Sequence, residues 1–286
     1  MARCRVGIVG YGSLGKYLLN SLLTDDSLSS SYVVSWVWNR TPDRAANCGA
    51  PLLHDLAAFP SAGPVDLIIE VCHPAVTNAH GEHFLEHADL FLGSPTALAD
   101  ASLEARLRGA AAAHGRSLCV PSGALWGATD LAKMGAAGTL KALTVTMKKH
   151  PASLQLEAGS APAEALARAV AAGSPGETVL YDGPVRALAL AAPNNVNTMA
   201  AAALASGASL GFDGTRAVLV SDPSLMSHEV IIEAEGAPGA SGDRFTCRTV
   251  RHNPAAPGAV TGSATYASFA ASLRAARVRH RGLFMC

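Results

Sequence analysis

Short apolar runs rich in β-branched residues alternate with longer stretches of helical spacing through the first 125 positions. The runs are Arg5–Val9, Tyr32–Trp38, Val65–Val71, Asp89–Leu92 and Ser117–Val120, and the helical stretches between them are Leu14–Leu23, Ala75–His87 and Ala99–His114. Strand, helix, strand in regular succession predicts a parallel sheet covered on both faces, with each helix long enough for a right-handed crossover.

After Pro121 the pattern changes. Trp126–Met134 reads as a helix, and in Lys141–Lys149 the residues Leu143, Val145 and Met147 alternate with polar neighbours, as in a half-buried strand. Further strands are predicted at Glu177–Tyr181, Arg216–Ser221, His228–Glu233 and Arg244–Val250, with helices at Ala163–Ala172 and Asn197–Ala205. Pro254–Gly258 reads as a loop and Thr261–Val278 as a closing helix. The expected class is α/β: a Rossmann-type parallel sheet domain over residues 1–125, completed by a helix at about 259–278, and a second α+β domain over 126–258 with a mixed, partly antiparallel sheet.

Composition narrows the possible partners. The 286 residues suit two domains, and 49% hydrophobic against 15% charged residues provides ample core. Lysine plus arginine number 22 and aspartate plus glutamate 22, so no net field attracts nucleic acid or an anionic membrane. Six cysteines without a CxxC pair argue against a disulfide framework and against a zinc site. Cys72 and Cys119 fall in apolar, strand-like runs. No run approaches a membrane span, and Met-Ala-Arg-Cys-Arg leads straight into a strand without an apolar leader, so a cytoplasmic setting is expected. His80, His83 and His87 share a helical spacing but lack a recognisable fourth ligand, and they read as a polar helix face with no metal.

Gly10-Tyr11-Gly12-Ser13-Leu14-Gly15 fits G-x-G-x-x-G directly between a strand and a helix. Gly10 permits the tight turn, Gly12 lets backbone approach a pyrophosphate, Gly15 allows helix to pack on strand, and the helix N-terminus offers free N–H groups. The second strand ends Trp38-Asn39-Arg40-Thr41, with no carboxylate for the adenosine ribose. Arg40 offers a guanidinium to a 2′-phosphate, so NADP is preferred to NAD, although a solvated turn arginine would look the same.

Behind this fingerprint come Gly93-Ser94-Pro95-Thr96-Ala97-Leu98-Ala99-Asp100, then Pro121-Ser122-Gly123-Ala124-Leu125-Trp126-Gly127-Ala128-Thr129-Asp130, then Pro193-Asn194-Asn195-Val196-Asn197, and an Asn253-Pro254 loop. In this order the segments resemble the L-aspartate dehydrogenase family over nearly the whole chain. The resemblance implies a nicotinamide enzyme, a homodimer, that oxidises the small dicarboxylate L-aspartate to iminoaspartate, which hydrolyses to oxaloacetate and ammonia, or runs in reverse. It implies cofactor contacts at Cys72, His73, Pro74, Ser94, Ala124 and Asn195, with Asn197 as an alternative helix cap. Substrate contacts fall at Ser122, Gly123, Lys148 and Lys149. Two adjacent strand lysines point to opposite faces, so at most one of them faces the cleft.

The family base is a histidine after a strand ending Asp-Pro, and Ser221-Asp222-Pro223-Ser224-Leu225-Met226-Ser227-His228 supplies His228 as the candidate. The loop is about two residues shorter than the family pattern. Met226 stands at an asparagine position, and an ungapped alignment places Val230 where the histidine belongs. A surface histidine at a strand start is the plain alternative. Sugar dehydrogenases with a Glu-Lys-Pro turn are excluded, because Leu92-Gly93-Ser94-Pro95 has no lysine. The other functional classes are a non-catalytic, redox-sensing dinucleotide binder and a dehydrogenase for another small imino or keto acid.

Overall fold

The computed structural model describes residues 2–276 and 282–286. The chain divides into two compact units: Met1–Pro121 with Phe269–Phe284 and Cys286, and Ser122–Ser268 with Met285. The first begins β1 (Cys4–Val9), α1 (Ser13–Thr24), α2 (Asp26–Ser29), β2 (Tyr32–Trp38), β3 (Leu52–Leu53) and β4 (Leu67–Glu70). It continues α3 (Pro74–His87), β5 (Asp89–Leu92), α4 (Ala101–Ala113) and β6 (Ser117–Val120). The second holds α5 (Ala128–Ala136), β7 (Leu140–Lys149), α6 (Ala161–Ala171), β8 (Thr178–Pro184), α7 (Val185–Ala191), α8 (Asn197–Ser206) and α9 (Gly211–Gly214). There follow β9 (Arg216–Ser221), β10 (Ser227–Pro238) and β11 (Arg244–Pro254); α10 (Ser263–Ala276) returns the chain to the first unit, where β12 (Gly282–Met285) closes it.

The first unit is a seven-stranded sheet in the order β12-β6-β5-β4-β1-β2-β3. Pairings from β3 through β6 are parallel. All four residues of β4 and of β6 are buried, as strands covered on both faces require. Val6, Ile8, Leu67, Ile69, Phe91 and Cys119 share one core with Leu18 and Leu22 of α1 and Phe269 and Leu273 of α10. Asp100 caps α4 by accepting from the Ser102 and Leu103 N–H groups, which fixes that helix start two residues after the sequence boundary. At the β12 edge the Cys286 N–H donates to the Val120 carbonyl at 2.9 Å.

In the second unit a five-stranded sheet runs β11-β10-β7-β9-β8. β10 is antiparallel to both β11 and β7, β7 is parallel to β9, and β8 is antiparallel to β9. Along β7 the buried residues Leu143, Val145, Met147 and Lys149 mark the inner face. Helix α8 is buried along nine of its ten residues, from Thr198 to Ser206, which its run of alanines permits.

The expected mixture of parallel and partly antiparallel sheets is what the two units contain. Some boundaries move: Val65–Val71 shortens to β4, leaving Cys72 beyond the strand end, and β11 runs on to Pro254. Asn197 is the first residue of α8, with Val196 at the cap position and no side-chain cap bond. The closing helix ends at Ala276; its predicted continuation to Val278 lies outside the described residues.

Candidate active site

The glycine turn is built by exclusion of side chains. Gly10 has φ +110°, and a Cβ there would stand 2.7 Å from Cys72 Cβ; a Cβ on Gly15 would stand 2.0 Å from the Gly10 carbonyl oxygen. A Cβ on Gly12 would meet nothing within 4 Å. The first and third glycines are therefore demanded by packing, and the middle one faces open space at the start of α1. Gly12 is the cap residue of that helix and gives it no side-chain cap. The N–H groups of the first turn, from Ser13 and Leu14 onward, are those a phosphate would use. This arrangement fits a dinucleotide diphosphate.

Asn39, after β2, braces the turn: its Oδ1 accepts from the Tyr11 N–H at 3.1 Å and its Nδ2 donates to the Thr41 carbonyl at 2.7 Å. Arg40 follows it, exposed. His73 caps α3, its Nδ1 accepting from the Ala75 N–H at 3.2 Å, and Pro74 takes the first helical position, where no N–H is needed.

A residue that the sequence reading passed over ties these rim loops together. Glu70 ends β4 fully buried, and its carboxyl receives the Cys72 N–H at 2.8 Å and Sγ at 3.2 Å, and the Ser94 Oγ at 3.0 Å and N–H at 3.1 Å. Burial raises the Glu70 carboxyl, against the pull of those four donors. Burial and then the Glu70 charge push the Cys72 thiol up, so it behaves as a packed, protonated side chain. An acidic residue closing an apolar strand was the available sign.

In the second unit three polar side chains form a row across the inner face. Glu229 pairs with Lys148 and His228 with Asn253, so Lys149, His228 and Asn253 follow one another across β7, β10 and β11. His228 is 5% exposed, which removes the surface-histidine alternative. Its backbone-facing bond is to Ala259, while its Nε2 is buried with no partner among the described residues. Burial first, and the Lys149 charge second, lower the His228 imidazole to about 4. Val230, the residue an ungapped alignment favours, lies two positions on along the same buried face.

Lys149 is 3% exposed, and its Nζ donates to the Asn195 and Val260 carbonyls, each at 3.2 Å. Burial lowers its ammonium to about 7. Lys148 points to the other face and is ion-paired with Glu177. The Asn195 amide is spent inside the unit: Oδ1 accepts from the Gln155 N–H at 2.6 Å, and Nδ2 donates to the Ser153 carbonyl at 2.9 Å.

Ser122 and Gly123 line a groove of about 730 Å³ with Leu125, Trp126, Arg251 and His252, and Ala124 lies buried beside them. Gly123 adopts φ +58°, a turn conformation that glycine adopts without strain. Arg251 donates from Nη1 to the Gly123 carbonyl at 3.2 Å, and burial lowers its guanidinium. The sequence reading missed this arginine because β11 gives alternate residues to opposite faces, and only the register shows that Thr249, Arg251 and Asn253 face inward. No described helix is long and apolar enough to cross a membrane.

A glycine turn of this geometry on a parallel seven-stranded sheet defines a dinucleotide-binding dehydrogenase fold. Residues 10–121 match the family described as homoserine dehydrogenase, NAD binding domain, and residues 130–272 match aspartate dehydrogenase, C-terminal. The chain belongs to the aspartate dehydrogenase family. It is 46% identical to the aspartate dehydrogenase domain-containing protein of Xenopus tropicalis, over 99% of this chain and 98% of that one. It is 32% identical to the L-aspartate dehydrogenase of Ruegeria pomeroyi, over 83% and 81% respectively. The aspartate dehydrogenase structure from Thermotoga maritima shares the fold, with a TM-score of 0.67 at 20% identity over 99% of this chain and 100% of that one. Family and fold together support a nicotinamide dinucleotide cofactor.

Proposed function

We propose that the protein oxidises the CH–NH2 group of L-aspartate to iminoaspartate, which water converts to oxaloacetate and ammonia, or catalyses the reverse. The observation that carries this reading is the buried row Lys149, His228, Asn253, in which His228 Nε2 has no partner among the described residues. The bound nicotinamide supplies the hydride acceptor for the substrate α-carbon. An imidazole lowered to about 4 is neutral at pH 7, so the Nε2 lone pair is free to take a proton from the substrate ammonium or from the water that attacks the imine. Lys149 and Arg251 are the cations we assign to the two substrate carboxylates, with Ser122 and Gly123 lining the groove beside Arg251. Lys148 is left to its surface pair with Glu177.

NADP is the preferred cofactor, because Asn39 is used by the glycine turn and the exposed Arg40 guanidinium is the charge left at the end of β2. A homodimer in a reducing, cytoplasmic setting completes the reading; the free thiols of Cys48, Cys72, Cys119, Cys247 and Cys286 support the setting.

The low basicity of His228 favours one second reading, a dinucleotide sensor on the same scaffold. Following reduced nicotinamide absorbance with L-aspartate and each oxidised cofactor, beside a thermal-shift titration of the same cofactors, separates the two. We expect turnover with NADP, a fall of at least about 100-fold in kcat for His228→Ala, and unchanged cofactor binding in that variant. Cofactor binding without turnover of any small amino or keto acid would establish the sensor. Unchanged turnover in His228→Ala would remove the histidine from the mechanism.

A further inference from the structure

In the last turn of α3, His83, Glu86 and His87 each offer a ligand atom, and these atoms lie within 4.8 Å of one another. The spacing is His-x-x-Glu-His, which places all three side chains on neighbouring turns of one helix face. His83 Nδ1 lies 3.0 Å from Glu86 Oε2, and His87 Nδ1 lies 4.0 Å from the same oxygen. The other nitrogen of His83, Nε2, is 3.1 Å from the Ala57 carbonyl. A carbonyl can only accept, so Nε2 carries a proton in that bond, and Nδ1 meets the carboxylate either as the second N–H of an imidazolium or as a lone pair. In the neutral ring the two lone pairs face each other at hydrogen-bond distance, and a metal cation can take the place that a proton holds in the imidazolium.

The surroundings favour a built site over a chance meeting of surface side chains. Metal-binding histidines commonly donate their second N–H to a backbone carbonyl, which fixes tautomer and ring orientation, and Ala57 does this for His83. The Phe59 ring packs edge-on against both imidazoles, with centroids 5.1 Å from His83 and 5.5 Å from His87, and restricts their rotation. His87 at present donates from Nδ1 to the His83 carbonyl at 3.1 Å, one turn back along its own helix. Exchanging that single bond for a metal contact brings in the third ligand. All three side chains are partly open to solvent, so an ion can enter and water can complete its coordination.

We propose that His83, Glu86 and His87 form a binding site for a divalent transition-metal ion, zinc foremost. Two imidazoles and one carboxylate are a ligand set that suits zinc or copper far better than magnesium or calcium, which prefer all-oxygen shells. The site lies on α3 of the first unit, a different element from the glycine turn at the start of α1, whereas His228 belongs to the second unit.

The test is titration of the intact protein with zinc chloride against a chromogenic zinc indicator, repeated with cobalt(II), whose absorption reports its ligands. Thiolates are a competing source of binding, since Cys247 is an exposed free thiol. The expected result is about one ion per chain, with a cobalt spectrum lacking the thiolate charge-transfer band, and at least about tenfold weaker binding in His87→Ala and in Glu86→Gln. His80→Ala, on the same helix outside the cluster, serves as the control and should bind as the parent does. Circular dichroism of each variant checks folding, and Glu86→Gln preserves the volume of the side chain it replaces. No stoichiometric binding, binding unaltered in both cluster variants, or a thiolate band in the cobalt spectrum overturns the proposal.

Discussion

One register position separates the fates of two adjacent lysines. Lys148 leans outward to a carboxylate and stays an ordinary surface ion pair, worth at most about 1 kcal/mol. Lys149, one residue on, is carried inside, where the Asn195 and Val260 carbonyls solvate its ammonium. With its ammonium lowered from the ordinary 10.5 to about 7, the unfolded chain holds a proton between those values that the folded chain lacks. Stability must therefore rise with pH across that window, with a limiting slope of about 1.4 kcal/mol per pH unit from this group. His228 has the same sign in a lower window: it is lowered from 6.5 to about 4, so stability falls as pH drops through that range. Urea denaturation between pH 7 and 10 should show a flatter stability profile in Lys149→Met than in the parent. Parallel profiles would mean that the ammonium is neutralised by a group not seen around it.

At the scale of elements, the dinucleotide rim depends on the ends of β4 and β5 being held together. Glu70 does this with a single carboxyl that receives four donors from Cys72 and Ser94. Removing it leaves those donors buried and unsatisfied, so Glu70→Ala should lose on the order of 3 kcal/mol of stability and weaken dinucleotide binding about tenfold. Glu70→Gln keeps one acceptor oxygen and should lose less of both. Binding unaffected in a folded Glu70→Ala protein would confine the residue to packing. The sequence announced the strands, the glycine turn and the crossover helices, because each carries several periods of its own pattern. It did not announce α2, α7, α9, β3 or β12, which span two to seven residues and offer too few periods to stand out. The site divided along the same line. His228 and the Lys148–Lys149 pair are candidates that short motifs of the family resemblance supply, whereas Glu70 and Arg251 owe their positions to hydrogen bonding and register between distant segments.

For the whole molecule, the question is what covers the outer strand of the five-stranded sheet. β11 is an edge strand, so its free N–H and C=O groups are a template for another chain. Phe245 is 57% and Val250 43% exposed on that strand, and an exposed apolar edge of this kind is a liability in a monomer. With 22 basic and 22 acidic residues, the chain has no net charge to keep copies apart. These features support the homodimer proposed above, with β11 in its contact surface. Light scattering behind a sizing column should give twice the chain mass at on the order of 10 μM protein, and Phe245→Glu should shift the population toward monomer, because a carboxylate buried at a two-fold contact meets its own copy. Circular dichroism and retained dinucleotide binding in the variant would show that the fold survives the change. A parent protein that elutes as a monomer, or a variant that stays fully dimeric, would remove β11 from the assembly.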